Sequence, residues 1–434
     1  MKKILFSISA LAVAFGFTAC SSDDEALNNV KDGKTSVMAM TETSTRTALA
    51  EDGEGAYDVV WSEGDKITIG DKEFTLEEGA GETSAKFTGT APADGEYTAY
   101  YATTDGNVPT KQVYKEGAIS NFPMTATATV TDGKISPLSF KNVGGLLQLT
   151  VTNSGPDYYK LAGFTFNAAG LAKPYSLVCE DLEWAQLEDK IVFNLALPEG
   201  EYTNVVITLY DSEYRTCVKT LKSGSLKIER SKITKASFTL KEEVNFSYPE
   251  ISNESPVGSV GMIGGRVGIV AQFKYYGNQN ARFIIAAMNV GAKSMTDGAG
   301  SVNNDAACYG DYMSSEECLE YNDNSKWHLM TNEELKGILE YNTAPFEKWF
   351  VKGEYVGHII NVTDMVKVYF PAAGICTEGY DYRFVGESGW YALYYNKTTV
   401  YALWCGDGAS NNGCSRESEI KFSYPEFSVR LFYQ

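Results

Sequence analysis

Leu147-Gln148-Leu149-Thr150-Val151-Thr152 alternates apolar and polar residues without a break. A period of two puts every second side chain on one face, the pattern of a strand with one side in a core. Lys66-Ile67-Thr68-Ile69 repeats it. Turn signals recur outward from these runs, at Glu63-Gly64-Asp65, Asp94-Gly95, Asp132-Gly133 and Pro198-Glu199-Gly200. Short strands punctuated by such turns predict β-sandwiches. No helical period longer than about two turns precedes residue 250.

Beyond residue 250 the pattern changes. Gly258 to Gly268 is dense in glycine, and Phe283-Ile284-Ile285-Ala286-Ala287-Met288-Asn289-Val290 is an apolar strand. Two short helices are expected next. Thr331-Asn332-Glu333-Glu334 forms a capping box, followed by Leu335, Ile338 and Leu339 on one face. Thr343-Ala344-Pro345 starts the second, with Phe346, Trp349 and Phe350 as its buried stripe. Alternation then returns in Met365–Phe370, Tyr391–Tyr394, Val400–Trp404 and Phe427–Leu431.

The N-terminus reads as an export signal. Lys2 and Lys3 precede a charge-free apolar stretch, Ile4 to Phe17, that ends at Phe17-Thr18-Ala19-Cys20. A basic start, a short apolar run and small residues mark a cleaved secretory signal. The run is shorter than the roughly 20 residues a bilayer span needs. The segment resembles a bacterial lipobox, with Phe17 where that family usually has leucine. The resemblance implies cleavage before Cys20 and its lipidation, giving a firm membrane anchor. Ser21-Ser22-Asp23-Asp24-Glu25 resembles the surface-export signal of Bacteroidota lipoproteins, carried here by Ser22, Asp23, Asp24 and Glu25. An acidic polar run is equally a solvated tether.

The chain has 434 residues, 37 Lys and Arg against 56 Asp and Glu, and a formal charge of -19. This excludes nucleic acid, whose recognition needs basic patches, and docking on anionic lipid through basic charge. With 28 Tyr, 40 Gly and only two His, the composition suits β-rich extracellular domains. No GxSxG, HExxH or P-loop motif is present, so no catalytic residue, cofactor or metal site is assigned.

Several phrases resemble the fimbrillin family of Bacteroidota. They are Thr45-Arg46-Thr47-Ala48-Leu49, Val60-Trp61-Ser62-Glu63-Gly64-Asp65-Lys66-Ile67, Phe140-Lys141-Asn142-Val143-Gly144-Gly145-Leu146-Leu147 and Leu197-Pro198-Glu199-Gly200. The resemblance implies two stacked sandwiches of transthyretin-like topology. Its members include pilus shafts, anchors, tips and other surface lipoproteins. A second set resembles the Fibrobacter succinogenes major paralogous domain, a relative of the C-type lectin fold. It comprises Ala287–Ala292, Trp327–Leu335, Phe370-Pro371-Ala372-Ala373-Gly374, Gly389–Leu393 and Phe427–Arg430. Met330 stands where proline is usual. The expected organisation is a signal peptide at 1–19, an acidic tether at 20–43, sandwiches at 44–140 and 141–245, and an α+β C-type lectin-like domain at 246–434. Relatives of this last domain include thiol oxidases, whose cysteine signature is not recognisable here.

Candidate sites follow. Beyond Cys20 there are seven cysteines, an odd number. Cys405 and Cys414 flank a Gly/Asn-rich loop and are placed to bridge it. His328 and His358 read as structural, since neither sits in a nucleophile motif. Asn303-Asn304-Asp305 and Asn322-Asp323-Asn324 read as turns rather than calcium ligands. Trp390, Tyr394, Tyr401 and Trp404 form a candidate ligand platform, half of which must point inward on alternating strands. Arg46 has two readings. In pilins of the fimbrillin family, cleavage after a basic residue near this place removes the first strand and opens a groove for β-augmentation; otherwise it is an ordinary first-strand arginine. Phe246-Ser247-Tyr248-Pro249-Glu250 recurs as Phe422-Ser423-Tyr424-Pro425-Glu426, either by chance or marking the ends of the C-terminal domain.

The reading is a non-enzymatic surface lipoprotein of the outer membrane, engaged in adhesion or recognition. Its expected partners are a host surface protein or glycan, and other pilus subunits if it is a fimbrial tip or accessory subunit. The alternative is glycan capture for a nutrient-uptake system.

Overall fold

The computed structural model describes residues 34–41, 49–50, 56–57, 60–114, 122–240 except 156–157, 181–182 and 222–223, and 246–297 except 276–278; beyond these it describes separate runs up to 433. The signal peptide, Cys20, Ser22 to Glu25, Arg46, the 332–346 helical expectation and both Asn/Asp runs lie outside the described residues. The strands form two compact units, one of residues 1–45, 58–106 and 124–141, the other of 46–57, 107–123 and 142–434. The fold is mainly β.

In the first unit the strand order is Lys134–Ile135, Met124–Thr131, Gly95–Tyr101, Lys66–Ile69, Lys72–Glu78, Ser84–Gly89, Thr35–Met40, Leu138–Ser139. Its two ends are joined by Ser136 and Pro137 alone, so the sheet must curl back on itself. Trp61 fills the interior, edge-on to Phe87 at 4.9 Å, Tyr101 at 5.1 Å and Phe140 at 5.6 Å. The turn after it explains the Trp-Ser-Glu-Gly-Asp phrase. Ser62 N–H donates to Asp65 Oδ2 at 2.7 Å, the Tyr101 hydroxyl donates to Asp65 Oδ1 at 3.1 Å, and Gly64 takes φ 84°.

Thr35–Met40, expected as tether, is a strand in this sheet. It pairs antiparallel with Ser84–Gly89 and parallel with Leu138–Ser139. Thr35, Val37 and Ala39 are buried. Its outward-facing methionines, Met38 and Met40, blur the period of two.

The second unit starts from the sandwich centred on the opening stretch. Gly145–Asn153 lies between Lys190–Leu197, antiparallel, and Ile233–Leu240, parallel. The facing sheet runs Thr216–Thr220, Val206–Asp211, Tyr159–Asn167, Tyr175–Val178, Lys111–Val113. Phe164 and Phe193 meet between the sheets at 5.4 Å. The paired glycines of Val143-Gly144-Gly145-Leu146 have a steric reason. A Cβ on Gly144 would lie 2.2 Å from the Leu197 carbonyl oxygen, and one on Gly145 2.2 Å from that of Glu229. Gln112 acts as a spare peptide unit: its Nε2 donates to the Ala196 carbonyl and its Oε1 accepts the Ala196 N–H, both at 2.8 Å.

The C-terminal strands belong to the same unit. One sheet runs Val260–Ile263, Arg266–Tyr275, Gln279–Ala286, Leu431–Tyr433, Trp327–Leu329. A second comprises Glu347–Val351, Glu354–Asn361 and Lys367–Pro371. A third runs Asp381–Arg383, Ile375–Thr377, Glu426–Ser428, Ser388–Asn396, Thr399–Gly406, Cys414–Glu417. The expected helix over Thr343–Phe350 is corrected at its end, because Glu347–Val351 is a strand. Trp349 is 5% exposed and Phe350 42%, a strand's alternation rather than a helical stripe. Lys352 at φ 52° and Gly353 at φ 84° make the two-residue turn into Glu354–Asn361, the left-handed pair that suits a hairpin's twist.

Residues on both sides of the expected 245/246 boundary pack together. One hydrophobic core holds Ala162, Val178 and Tyr214 of the sandwich together with Ile269, Ile285, Trp349, Val368, Phe370 and Phe432. The turn Asp211-Ser212-Glu213-Tyr214-Arg215 makes the join. Asp211 Oδ1 accepts the N–H groups of Glu213 and Arg215, at 3.0 and 2.8 Å, and its Oδ2 takes Arg215 Nε at 2.7 Å. Tyr214, with φ 58°, is fully buried. Its ring stacks on Tyr369 at 6.3 Å, the two hydroxyls lie 3.1 Å apart, and its hydroxyl accepts the Lys367 N–H at 3.2 Å. Glu213 accepts from Ser294 Oγ at 2.6 Å and Met295 N–H at 2.9 Å, and the Tyr248 hydroxyl donates to the Glu213 carbonyl at 2.7 Å. Burial pushes the Glu213 carboxyl above its ordinary range and the Tyr369 phenol up to about 12. Phe246-Ser247 sits on the sandwich, where Ser247 bridges Thr216 and Phe246 meets Tyr159 at 4.9 Å; Phe422–Pro425 lie outside the described residues.

Candidate functional site

The candidate platform is built on the hairpin Ser388–Asn396 and Thr399–Gly406. Its register sets Trp390 opposite Trp404, Tyr391 opposite Leu403, Leu393 opposite Tyr401 and Tyr394 opposite Val400. Opposed residues in an antiparallel ladder share a face, and successive residues alternate. Tyr391 identifies the core face. It is 2% exposed, its hydroxyl donates to the Pro371 carbonyl at 2.7 Å, and its ring lies edge-on to Phe370 at 5.2 Å. Leu393, Leu403 and Tyr401 share that face by parity. Trp390, Tyr394 and Trp404 fall on the opposite one. Three of the four aromatics therefore share one register parity, and Tyr401 has the other. A shift in register between Tyr394 and Asn396 ends the alternation there.

Cys405 and Cys414 face each other on the last rung between Thr399–Gly406 and Cys414–Glu417. Cys179 and Cys217 are free thiols. Burial pushes Cys179 up to about 11 and Cys318 up to about 12, which keeps both neutral. His358 is completely buried in mid-strand, with Nδ1 2.8 Å from the Tyr355 hydroxyl. His328 lies in the strand Trp327–Leu329, opposite Phe432. Among the described residues no group of three or more His, Cys, Asp or Glu side chains is placed to hold a metal ion, and no helix is long and apolar enough to cross a membrane.

Sequence reasoning missed the Asp211–Arg215 turn, which holds the platform's supporting strands on the sandwich. Its letters are those of an ordinary polar turn. The signal was a tyrosine in a tight polar turn, where small residues are usual.

The fold defines a mainly β protein of sandwich type. No protein-family model matches the chain, and no curated protein does. Among solved structures it is similar to a fimbrial protein from Bacteroides ovatus, at 11% identity over 93% of this chain and 99% of that one, with a TM-score of 0.26. It is similar to the minor pilin of Streptococcus agalactiae at 14% identity, covering 50% of this chain and 99% of that one, with a TM-score of 0.21. It is also similar to the tip fimbrial protein of Porphyromonas gingivalis at 13% identity, covering 44% and 82% respectively, with a TM-score of 0.16. TM-scores this low carry no function across.

Proposed function

We propose that this chain is an exported, lipid-anchored surface protein that binds a host protein or glycan through the aromatic face of its Ser388–Gly406 hairpin. The reading is supported by the hairpin register, in which Trp390, Tyr394 and Trp404 stand at the parity opposite that of the buried Tyr391. Aromatic rings give large contact area at low entropic cost, and a rigid sheet holds them preorganised. Cys20 supplies the anchor, and Ser22, Asp23, Asp24 and Glu25 direct the protein to the surface.

A fimbrial role has its own support. Thr35–Met40 lies between Ser84–Gly89 and Leu138–Ser139. Cleavage after Arg46 followed by loss of this strand would leave a slot beside Ala85, Phe87 and Leu138 that a neighbouring subunit's strand can fill.

The test displays the full chain on cells and measures attachment to immobilised host glycoproteins and to a glycan array. Trp390→Ala and Trp404→Ala should each weaken attachment by roughly 1–3 kcal/mol, with the melting temperature recorded alongside. Full attachment by the folded double variant refutes the platform. Binding confined to free polysaccharides replaces adhesion with glycan capture.

A further inference from the structure

Among the described residues the C-terminal sheet ends in a strand of four residues, Cys414–Glu417, paired with Thr399–Gly406. Its pairing with Thr399–Gly406 runs Ala402 to Glu417, Leu403 to Arg416, Trp404 to Ser415 and Cys405 to Cys414. The cysteines are thus directly opposed at the rung where the chain leaves the ladder. Opposed residues of an antiparallel pair have Cα atoms about 4.5–5.5 Å apart, inside the roughly 4.4–6.8 Å that a disulfide spans. On the other side of Cys405 the ladder places Gly389, which has no side chain to compete for the space.

We infer that Cys405 and Cys414 form an intrachain disulfide that staples the strand Cys414–Glu417 to the sheet and closes the loop between Gly406 and Cys414 at its base.

The other sulfurs are excluded by position. Cys376 is on Ile375–Thr377, separated from Thr399–Gly406 by the strands Glu426–Ser428 and Ser388–Asn396. Three strand spacings of about 4.8 Å put it roughly 14 Å away. Cys217 sits in the sandwich strand Thr216–Thr220, Cys179 follows the sandwich strand Tyr175–Val178, and Cys308 is buried against Tyr309 and Ala373.

The bond forms by thiol–disulfide exchange with an exported dithiol–disulfide oxidoreductase. One cysteine thiolate attacks the oxidant's disulfide and expels one of its thiolates, giving a mixed disulfide. The second cysteine thiolate then attacks this chain's sulfur in the mixed disulfide and expels the oxidant's other thiolate. Two protein thiols are oxidised to one S–S bond, and the oxidant's disulfide is reduced to a dithiol that takes up the two protons released. An exported location permits this chemistry. The staple stands independently of the ligand-binding reading, because it needs the register and an oxidising compartment but no ligand.

The test uses the full chain purified without reductant from exporting cells. Thiols are alkylated in denaturant, and peptides are mapped by mass spectrometry before and after reduction. The expected result is one linked peptide pair, Cys405 with Cys414, and alkylated Cys179, Cys217, Cys308, Cys318 and Cys376. Alkylated Cys405 and Cys414, or either one linked to another cysteine, overturns the inference. As a second readout, limited proteolysis between residues 406 and 414 should accelerate roughly tenfold or more on reduction or in the Cys405→Ser, Cys414→Ser double variant, as expected when a short loop loses its covalent closure. An unchanged rate overturns the staple's role.

Discussion

Tyr214→Phe removes one oxygen atom from the join between the sandwich and the C-terminal strands. That oxygen accepts the Lys367 N–H at 3.2 Å and lies 3.1 Å from the Tyr369 hydroxyl. Both rings are buried, so the change takes one hydrogen-bond partner from each group away from water. The expected cost is about 1–3 kcal/mol. Truncation goes further. Tyr214→Ala empties a fully buried aromatic site and should cost about 3–5 kcal/mol. The backbone adds a signature of its own. At φ 58° an L-residue with a Cβ is strained by about 1–2 kcal/mol and glycine is not. Tyr214→Gly should therefore be the more stable of the two truncations by about 1 kcal/mol, the reverse of the usual preference for alanine. The assay is urea unfolding of the full chain, with hydrogen exchange followed by mass spectrometry on peptides covering 159–167 and 354–371. Because the two regions share one core, protection should fall together in both. A loss confined to 354–371, with the sandwich peptides unchanged, refutes the single-unit argument. A Tyr214→Gly variant less stable than Tyr214→Ala refutes the backbone argument.

Three further outcomes are expected. Burial, followed by the nearby Asp297 and Asp211 carboxylates, raises the Glu213 carboxyl above 4.5; the folded state then binds its proton more tightly than the unfolded state. That contribution is fully present below about pH 4.5 and is lost as pH rises through the folded value. Glu213→Gln should flatten the fall in urea midpoint above pH 4.5, and an unchanged pH profile would count against it. Gly144→Ala should destabilise by about 1–3 kcal/mol or more, because its Cβ would meet a strand carbonyl at 2.2 Å; a melting temperature within error of wild type would show that the strands separate freely. Gln112→Ala should cost about 1–3 kcal/mol by removing both bonds to Ala196. Gln112→Glu should fare little better, since a carboxylate cannot donate, and thermal denaturation of the pair measures both.

By itself the sequence determined the β character. Leu147–Thr152 and Lys66–Ile69 alternate in the letters, and alternation is a property of neighbours along the chain that needs no partner to be read. The turn glycines were legible for the same reason, since left-handed backbone such as that of Gly64 and Gly133 selects glycine locally. Thr35–Met40 escaped because its methionines face outward, and Trp349 was misread because a three-residue spacing fits a helix until the pairing partner is known. What only the tertiary structure decided is pairing across distance. It assigned Lys111–Val113 to the sandwich of the second unit, packed Ala162, Val178 and Tyr214 into one core with the C-terminal strands, set Tyr401 at the register parity of Tyr391 rather than of Trp390, and brought Cys405 opposite Cys414. Each of these depends on which strand lies beside which and in what register. A slip of one residue would reverse every face, and register is fixed by burial of the whole sheet rather than by any run of letters within one strand.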